Sequence, residues 1–226
     1  MTVRPLDPAA EHRVIRPKIL YVGTPVFLVS TENPDGTFNL APASSYWALG
    51  QMLVLGLETD GQSVQNLLAR PGFTVNFPSP SHWQAVERLA ALTARHPVPS
   101  AKAHRYRHEP GKFAAAGLHA EASDLVAPPR VRECALQFEA EVRRATPGVG
   151  DEYVLVEAGV VRAHAAPEIV AEGDHIDPRA WQPLIYSFKH YFGLGDEVGW
   201  TRSSPTAPAT ALTDAAAAPA TTGGAP

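Results

Sequence analysis

TPVFLVSTENPDGTFNLAPASSYWALGQMLVLGL, residues 24–57, is the stretch whose reading decides the fold. Val26-Phe27-Leu28-Val29 is β-branched and aromatic, and Asn33-Pro34-Asp35-Gly36 offers turn chemistry at every position, so a hairpin is predicted. The returning strand runs from Phe38 to Trp47. Pro42 interrupts its ladder near the middle, which predicts a bulge or a sheet edge. Gln51–Leu57 supplies a third strand. This is a β-meander carrying a loop of small residues. At Ala43, Ser44 and Ser45 a flat polar ligand can approach the main chain closely and hydrogen-bond to it.

Further along, a short helix is predicted over Ser63–Ala69, stopped by Arg70-Pro71-Gly72, and a fourth strand over Phe73–Phe77. Ser81 can cap a helix from His82 to about Leu92, with Trp83, Val86, Leu89 and Ala90 as its core stripe. Arg95–Gly111 reads as a long basic loop, and Lys112–Ala116 as one helical turn closed by Gly117. Two longer strands follow, Arg132–Arg144 and Tyr153–Ala163, joined by a turn over Thr146–Gly150. A short helix is expected to start at His175-Ile176-Asp177-Pro178, with Asp177 capping it. Leu184–Leu194 is an aromatic closing segment. Strands cluster as meanders on either side of a helical middle, which favours a mainly β, Greek-key-like antiparallel barrel over a doubly wound sheet.

The chain of 226 residues carries a net charge of -4. That balance argues against a nucleic-acid binder, which would carry a basic face. One cysteine, Cys134, excludes an internal disulfide or a CxxC pair and reads as a small buried hydrophobe. The first thirty residues are too interrupted by charge and proline for a signal peptide, and no run is long enough to span a membrane. A cytoplasmic location is therefore expected. We divide the chain into an arm (1–18), one domain (19–202) and an Ala/Pro/Thr-rich tail (203–226) too poor in large apolar residues to order itself.

Hydrolase, phosphate-loop, zinc-protease and dinucleotide fingerprints are all missing from the sequence. His104 and His108 have the spacing of two ligands on a helix, but loop composition and flanking arginines argue against a metal there. The same segment interleaves basic and aromatic residues and is better read as a solvated or anion-facing loop.

Taken together, Thr31, the Asn-Pro-Asp-Gly turn, Asn39 to Trp47, the helix Gln62-Ser63-Val64-Gln65-Asn66-Leu67 and the strand Phe73-Thr74-Val75-Asn76-Phe77 resemble the flavin reductase and flavoredoxin family. The resemblance spans roughly Pro25 to Leu194. It implies an FMN-binding split β-barrel, a homodimer with flavin near the interface, and hydride transfer from NADH or NADPH to flavin. A flavoredoxin-like electron-transfer protein and a flavin-free binding barrel are the alternatives. A monooxygenase or another electron-acceptor protein would be the partner, with no role for nucleic acid or membrane.

The residues themselves suit such a ligand. An isoalloxazine ring needs donors and acceptors along its pyrimidine edge and an apolar wall. Asn39, Ala41, Pro42, Ala43, Ser44 and Ser45 can supply the former, and Tyr46 or Trp47 the latter. For the phosphate, Ser63 at a helix start and Arg95 and Lys102 in the basic loop are candidates. The resemblance adds Thr31, Asn66 and Asn76, and places His190 and Tyr191 of the closing segment near flavin or nicotinamide. Ser63 as a cap, Asn66 as a turn amide and Asn76 as a strand-end residue are the structural alternatives. Hydride transfer needs no side-chain acid or base, so no catalytic residue is nominated. Gln51 stands where relatives begin a proline-containing strand, and nothing resembles a dedicated nicotinamide signature.

Overall fold

Phe27 and Val29 face one side of a strand and Leu28 the other, and both sides are buried, which accounts for the unbroken apolar run there. The computed structural model describes residues 12–98, 100, 103–172, 174–201 and 204. In it this strand, β1 (Phe27–Glu32), joins β2 (Phe38–Ala43), β3 (Tyr46–Leu49), β4 (Met52–Glu58), β5 (Gly72–Phe77), β6 (Leu136–Pro147) and β7 (Tyr153–Ala165) in one sheet. The order is β2-β1-β5-β6-β7-β4-β3, antiparallel throughout.

The two edge strands, β2 and β3, are consecutive in the chain and only Ser44 and Ser45 separate them. A flat sheet of this order would hold its edges roughly 29 Å apart at the usual strand spacing. Three Cα steps reach only about 10 Å. The sheet must therefore curl until its edges come together, and because β2 and β3 do not pair with each other, the barrel is split along that seam. Leu53, Leu55, Phe73, Val75, Phe77, Val154 and Val156 fill its interior, and helix α1 (Gln62–Ala69) adds Val64 and Leu67. Outside, α2 (Trp83–Ala90) and α3 (Lys112–Ala116) cover Leu28 and Leu40 with Ala85, Val86, Leu89 and Ala116. A small sheet of Thr24–Pro25, β8 (Ile185–Ser187) and β9 (His190–Phe192) closes the chain.

Several expectations are corrected. The strand expected over Phe38–Trp47 is two strands: Pro42 sits inside edge strand β2, where its missing N–H costs no ladder bond, and the break falls at Ser44-Ser45. Ser81 caps nothing. It lies in a 3-10 turn (Pro80–His82), and of the expected stripe only Val86 and Leu89 are buried, with Ala85 taking the place of Trp83 and Ala90. No helix starts at His175. His175-Ile176 pairs with Val170-Ala171, and Asp177 accepts the Arg179 amide at 2.9 Å in a turn. The strand expected from Arg132 starts at Leu136 and runs through Ala145 and Thr146 to Pro147, with a 3-10 turn, Val149–Asp151, after it. Cys134 is buried, and burial pushes its thiol pKa up. Among the described residues, no helix is long and apolar enough to cross a membrane. Residues 1–11 of the expected arm, and all of the expected tail but Ser204, lie outside the described residues.

Candidate functional site

The seam where the edges meet opens into a cavity of about 340 Å³, within the range typical of small-molecule sites. Ala41, Pro42, Ala43, Ser44 and Ser45 form one wall, and Gly56 and Leu57 of β4 continue it. Gly56 donates its amide to the Ser45 carbonyl at 3.0 Å, and a Cβ built on Gly56 would fall 2.9 Å from the Ser45 Cβ. Glycine is thus required there for the loop to lie against β4. Tyr21 stands at the same wall, its hydroxyl 2.6 Å from the Ser45 hydroxyl.

Gly61, Gln62 and Ser63 bring the start of α1 to the cavity. Gly61 has no side chain with which to cap the helix, so first-turn amides there remain available to a ligand. Ser63 is fixed by a buried network behind it. Asn39 Nδ2 donates to the Ser63 hydroxyl at 2.9 Å and to Thr31 at 3.4 Å, while Asn66 Nδ2 donates to Thr31 and to Asn33 Oδ1, both at 2.9 Å. Gln62 closes the set by donating to Asn66 Oδ1 at 2.8 Å. Because the Ser63 oxygen is accepting, its own hydrogen is left for an acceptor in the cavity. Asn39 Oδ1 is buried without a partner. Asn66→Leu would strand the Asn33 Oδ1 and Gln62 Nε2 atoms, and we expect it to lower stability by about 1–3 kcal/mol in urea denaturation, the usual cost of unpaired buried polar groups.

Lys112, at the start of α3, also lines the cavity, and it is only 3% exposed. Among the described residues no hydrogen bond or ion pair reaches its ammonium, and desolvation alone lowers its pKa to about 8. Its ammonium thus lines the cavity with no direct ion-pair partner among the described residues. Arg95 and Arg105 also line the cavity, and Arg95 Nη1 donates to the Asp60 carbonyl at 2.6 Å. Glu58 and Asp60 also belong to the lining.

Of the residues singled out from sequence, the cavity brings together Asn39, Ala41, Pro42, Ala43, Ser44, Ser45, Ser63 and Arg95. Thr31 and Asn66 lie behind it as supports. Tyr46 points into the barrel, its ring 5.7 Å from Phe27 and 5.5 Å from Phe77, and Trp47 is exposed on the outer face, so neither is a cavity wall. Asn76 is a staple between strands, donating to the Leu28 carbonyl at 3.1 Å and accepting the Val131 amide at 2.8 Å. His190 and Tyr191 are on the β8–β9 hairpin, outside the cavity. Tyr191 donates to Glu87 at 2.6 Å, and burial together with that carboxylate raises its phenol pKa. Lys102 lies outside the described residues.

Sequence reasoning missed Tyr21, Gly56, Lys112 and Arg105. Only Lys112 left a signal, as a cation opening a short apolar helix.

A second polar cluster sits on the outer face of β6. Glu139 is fully buried and accepts the amides of Asp124, Leu125 and Val126 at 2.6–3.1 Å and His164 Nε2 at 2.6 Å. Burial alone would raise its pKa, but these donors outweigh that and hold it below the usual carboxylate range. Although Asp124, Glu139 and His164 are close enough to chelate a cation, Glu139's acceptors are filled and Arg162 occupies Asp124 at 2.6 Å. The cluster ties loop 123–129 over the sheet. Glu139→Gln replaces one accepting oxygen by a donating carboxamide NH2 facing N–H donors, and we expect a loss of about 1–3 kcal/mol in chemical denaturation.

A family model described as flavin reductase like domain matches residues 20–195. An uncharacterised protein of Bacillus subtilis (strain 168), YdfE, is 41% identical over 194 residues, covering 85% of this chain and 94% of that one. The fold is shared with flavoredoxin of Desulfovibrio vulgaris (Miyazaki F), at a TM-score of 0.71 and 17% identity over 86% of this chain and 99% of that one. It is shared too with nitrilotriacetate monooxygenase component B from Bacillus cereus, at 0.66 and 19% over 88% and 99%.

Proposed function

The chain belongs to the flavin reductase like domain family, and from that membership we propose that it binds FMN in the seam cavity and passes hydride to it from NADH or NADPH. Lys112 is the observation that carries this reading. A buried ammonium with no direct ion-pair partner among the described residues, in a cavity that also presents a hydroxyl hydrogen and helix-start amides, fits a phosphate ester. Main-chain groups from Ala41 to Ser45 fit the polar edge of a flat heterocycle, because the small side chains there leave the backbone open.

When bound, flavin would supply the hydride acceptor and reduced nicotinamide the hydride donor, with solvent as the source of the balancing proton. The protein's own residues bind and orient. Lys112, Arg95, Ser63 and the α1 amides hold the phosphate, the 41–45 wall sets the ring's plane, and Tyr21 bounds that wall. No side chain in the cavity is assigned a proton to move.

We further propose a homodimer. Trp47, Leu49, Met52 and Leu155 are exposed on adjoining strands β3, β4 and β7, forming an apolar face next to the seam, where a second copy would find an apolar surface. A monooxygenase that consumes reduced flavin is the proposed partner, in line with the fold shared with a monooxygenase component, and the cytoplasm, where reduced pyridine nucleotide is supplied, is the proposed location.

Steady-state oxidation of NADH and NADPH with added FMN tests the reading. Turnover that depends on FMN supports it. Binding of FMN without oxidation of either nucleotide would transfer the chain to the flavoredoxin-like electron-transfer reading.

A further inference from the structure

A series of aromatic rings in contact runs from the cavity to the surface. Tyr21 lines the cavity, and its ring centroid lies 5.6 Å from that of Tyr186. Tyr186 lies 5.6 Å from Tyr191, and Tyr191 lies 6.3 Å from Trp83, which is 43% exposed. Resting on the flavin reading above, we propose that Tyr21, Tyr186, Tyr191 and Trp83 form an electron path, along which a soluble thiol replaces the electron that light-excited flavin draws from Tyr21.

Continuity is the first ground. All three separations fall in the range of packed aromatic pairs, so no gap interrupts the route. A phenol or an indole can give up an electron, whereas a phenyl ring holds its own far more tightly. The other ring series, Phe27-Tyr46-Phe77-Phe138, is mostly phenyl and stays with the barrel core. Among the described residues, the cavity lining has one further ring, that of Tyr106. The Arg105 guanidinium lies 5.7 Å from its centroid, and that charge opposes a positive vacancy on the ring.

Proton acceptors are the second ground, because an oxidised phenol sheds its proton. Tyr191 already donates to the Glu87 carboxylate at 2.6 Å, and burial together with that carboxylate keeps the phenol protonated at rest. Glu87 and Trp83 stand four residues apart on α2, so one helix face brings both to Tyr191. At the other end, the Tyr21 hydroxyl lies 2.6 Å from the Ser45 hydroxyl, which can accept from it.

Construction is the third. Tyr186 and Tyr191 are cross-strand partners on β8 and β9, and the turn between these strands holds Phe188 and Lys189 at φ of 44° and 69°. Positive φ is costly for a bulky residue, yet it makes the tight turn that sets one tyrosine opposite the other. The Phe188 amide then donates to the Tyr21 carbonyl at 3.1 Å, tying the hairpin to the cavity wall.

Each passage moves one electron. Tyr21 gives it to the excited flavin, Tyr186 and Tyr191 relay its replacement, and Trp83 recovers it from the thiol. Two passages join two thiols as one disulfide with release of two protons, and the flavin takes up two electrons and two protons.

The test is flash photolysis of the full chain loaded with FMN, without oxygen or nicotinamide, beside Trp83→Phe and Tyr186→Phe. Neither position lines the cavity, and phenylalanine keeps a ring in each contact. A blue pulse is expected to produce the absorbance of an indole radical in the unmodified protein. Added dithiothreitol should quench that radical while the flavin bleaches under steady light. Trp83→Phe should lose the radical, Tyr186→Phe should suppress it, and both should bleach more slowly with FMN affinity by calorimetry unchanged. Retained FMN with no indole radical in the unmodified protein would overturn the path, as would an equal radical yield in Trp83→Phe. Failure of FMN to bind would instead overturn the flavin reading and the path with it, so the two failures are distinguishable.

Discussion

Lys112→Met weakens FMN binding by about ten- to a hundredfold, leaves riboflavin binding unchanged, and stabilises the ligand-free protein. The first effect is the loss of a charge-assisted hydrogen bond in a desolvated setting, worth about 1.5–3 kcal/mol. Riboflavin lacks the phosphate, so a contact made only to phosphate is invisible to it. The third effect follows from burial: lowering the lysine from 10.5 to about 8 corresponds to a penalty on the order of 3 kcal/mol on the charged form. Methionine of similar length removes that penalty. Opposite changes in affinity and in denaturation midpoint mark a residue kept for its ligand and not for the fold.

The same group gives a pH dependence with a definite sign. Its folded-state pKa is depressed, so the ligand-free protein carries the penalty below about pH 8 and sheds it as pH rises from there toward the unfolded value near 10.4. Ligand-free stability therefore rises across that window as far as Lys112 is concerned. FMN affinity falls across it, because the neutral amine no longer meets the phosphate dianion. Arg95 and Arg105 share the lining with Lys112, so the fall is expected to be partial. Calorimetric titration of FMN from pH 7 to 10 checks it, and Lys112→Met should flatten the profile.

Ser45→Tyr abolishes flavin retention while leaving the barrel folded. On one side Ser45 lies against β4, with a glycine opposite it and no room for a further carbon; on another it meets the Tyr21 hydroxyl. A tyrosine at this position has the cavity as its outlet and fills the ring wall. Since the site is part of the seam and not of the core, the thermal midpoint should stay within about 4 °C, the shift that 1 kcal/mol produces in a chain of this size. Retained FMN in this variant would remove the 41–45 loop from the site.

Much of this was legible in residues 24–57, where a hairpin signal, a misplaced proline and a run of small residues pointed to an edge next to a ligand loop. What escaped the sequence was non-local. Pro42 was visible as a defect, but that β2 and β3 are opposite edges of one sheet depends on pairing by strands a hundred residues away. Tyr46 carries the same composition signal as a ring-stacking residue, and only the direction of its side chain turns it toward Phe27 and Phe77. Glu139 and Gln137 alternate with apolar residues as a solvent face would, yet loop 123–131 folds over them and buries both. Lys112 left only the signal of a cation opening a short apolar helix, because its importance is the lack of a direct ion-pair partner, which only packing reveals.

The most direct test of the central claim is the absorbance spectrum of the purified protein after FMN has been added and the excess removed by desalting, followed by anaerobic NADH and, separately, NADPH. We predict a retained flavin band that bleaches with at least one nucleotide. A protein that emerges colourless and oxidises neither nucleotide would contradict the assignment of the seam cavity to flavin.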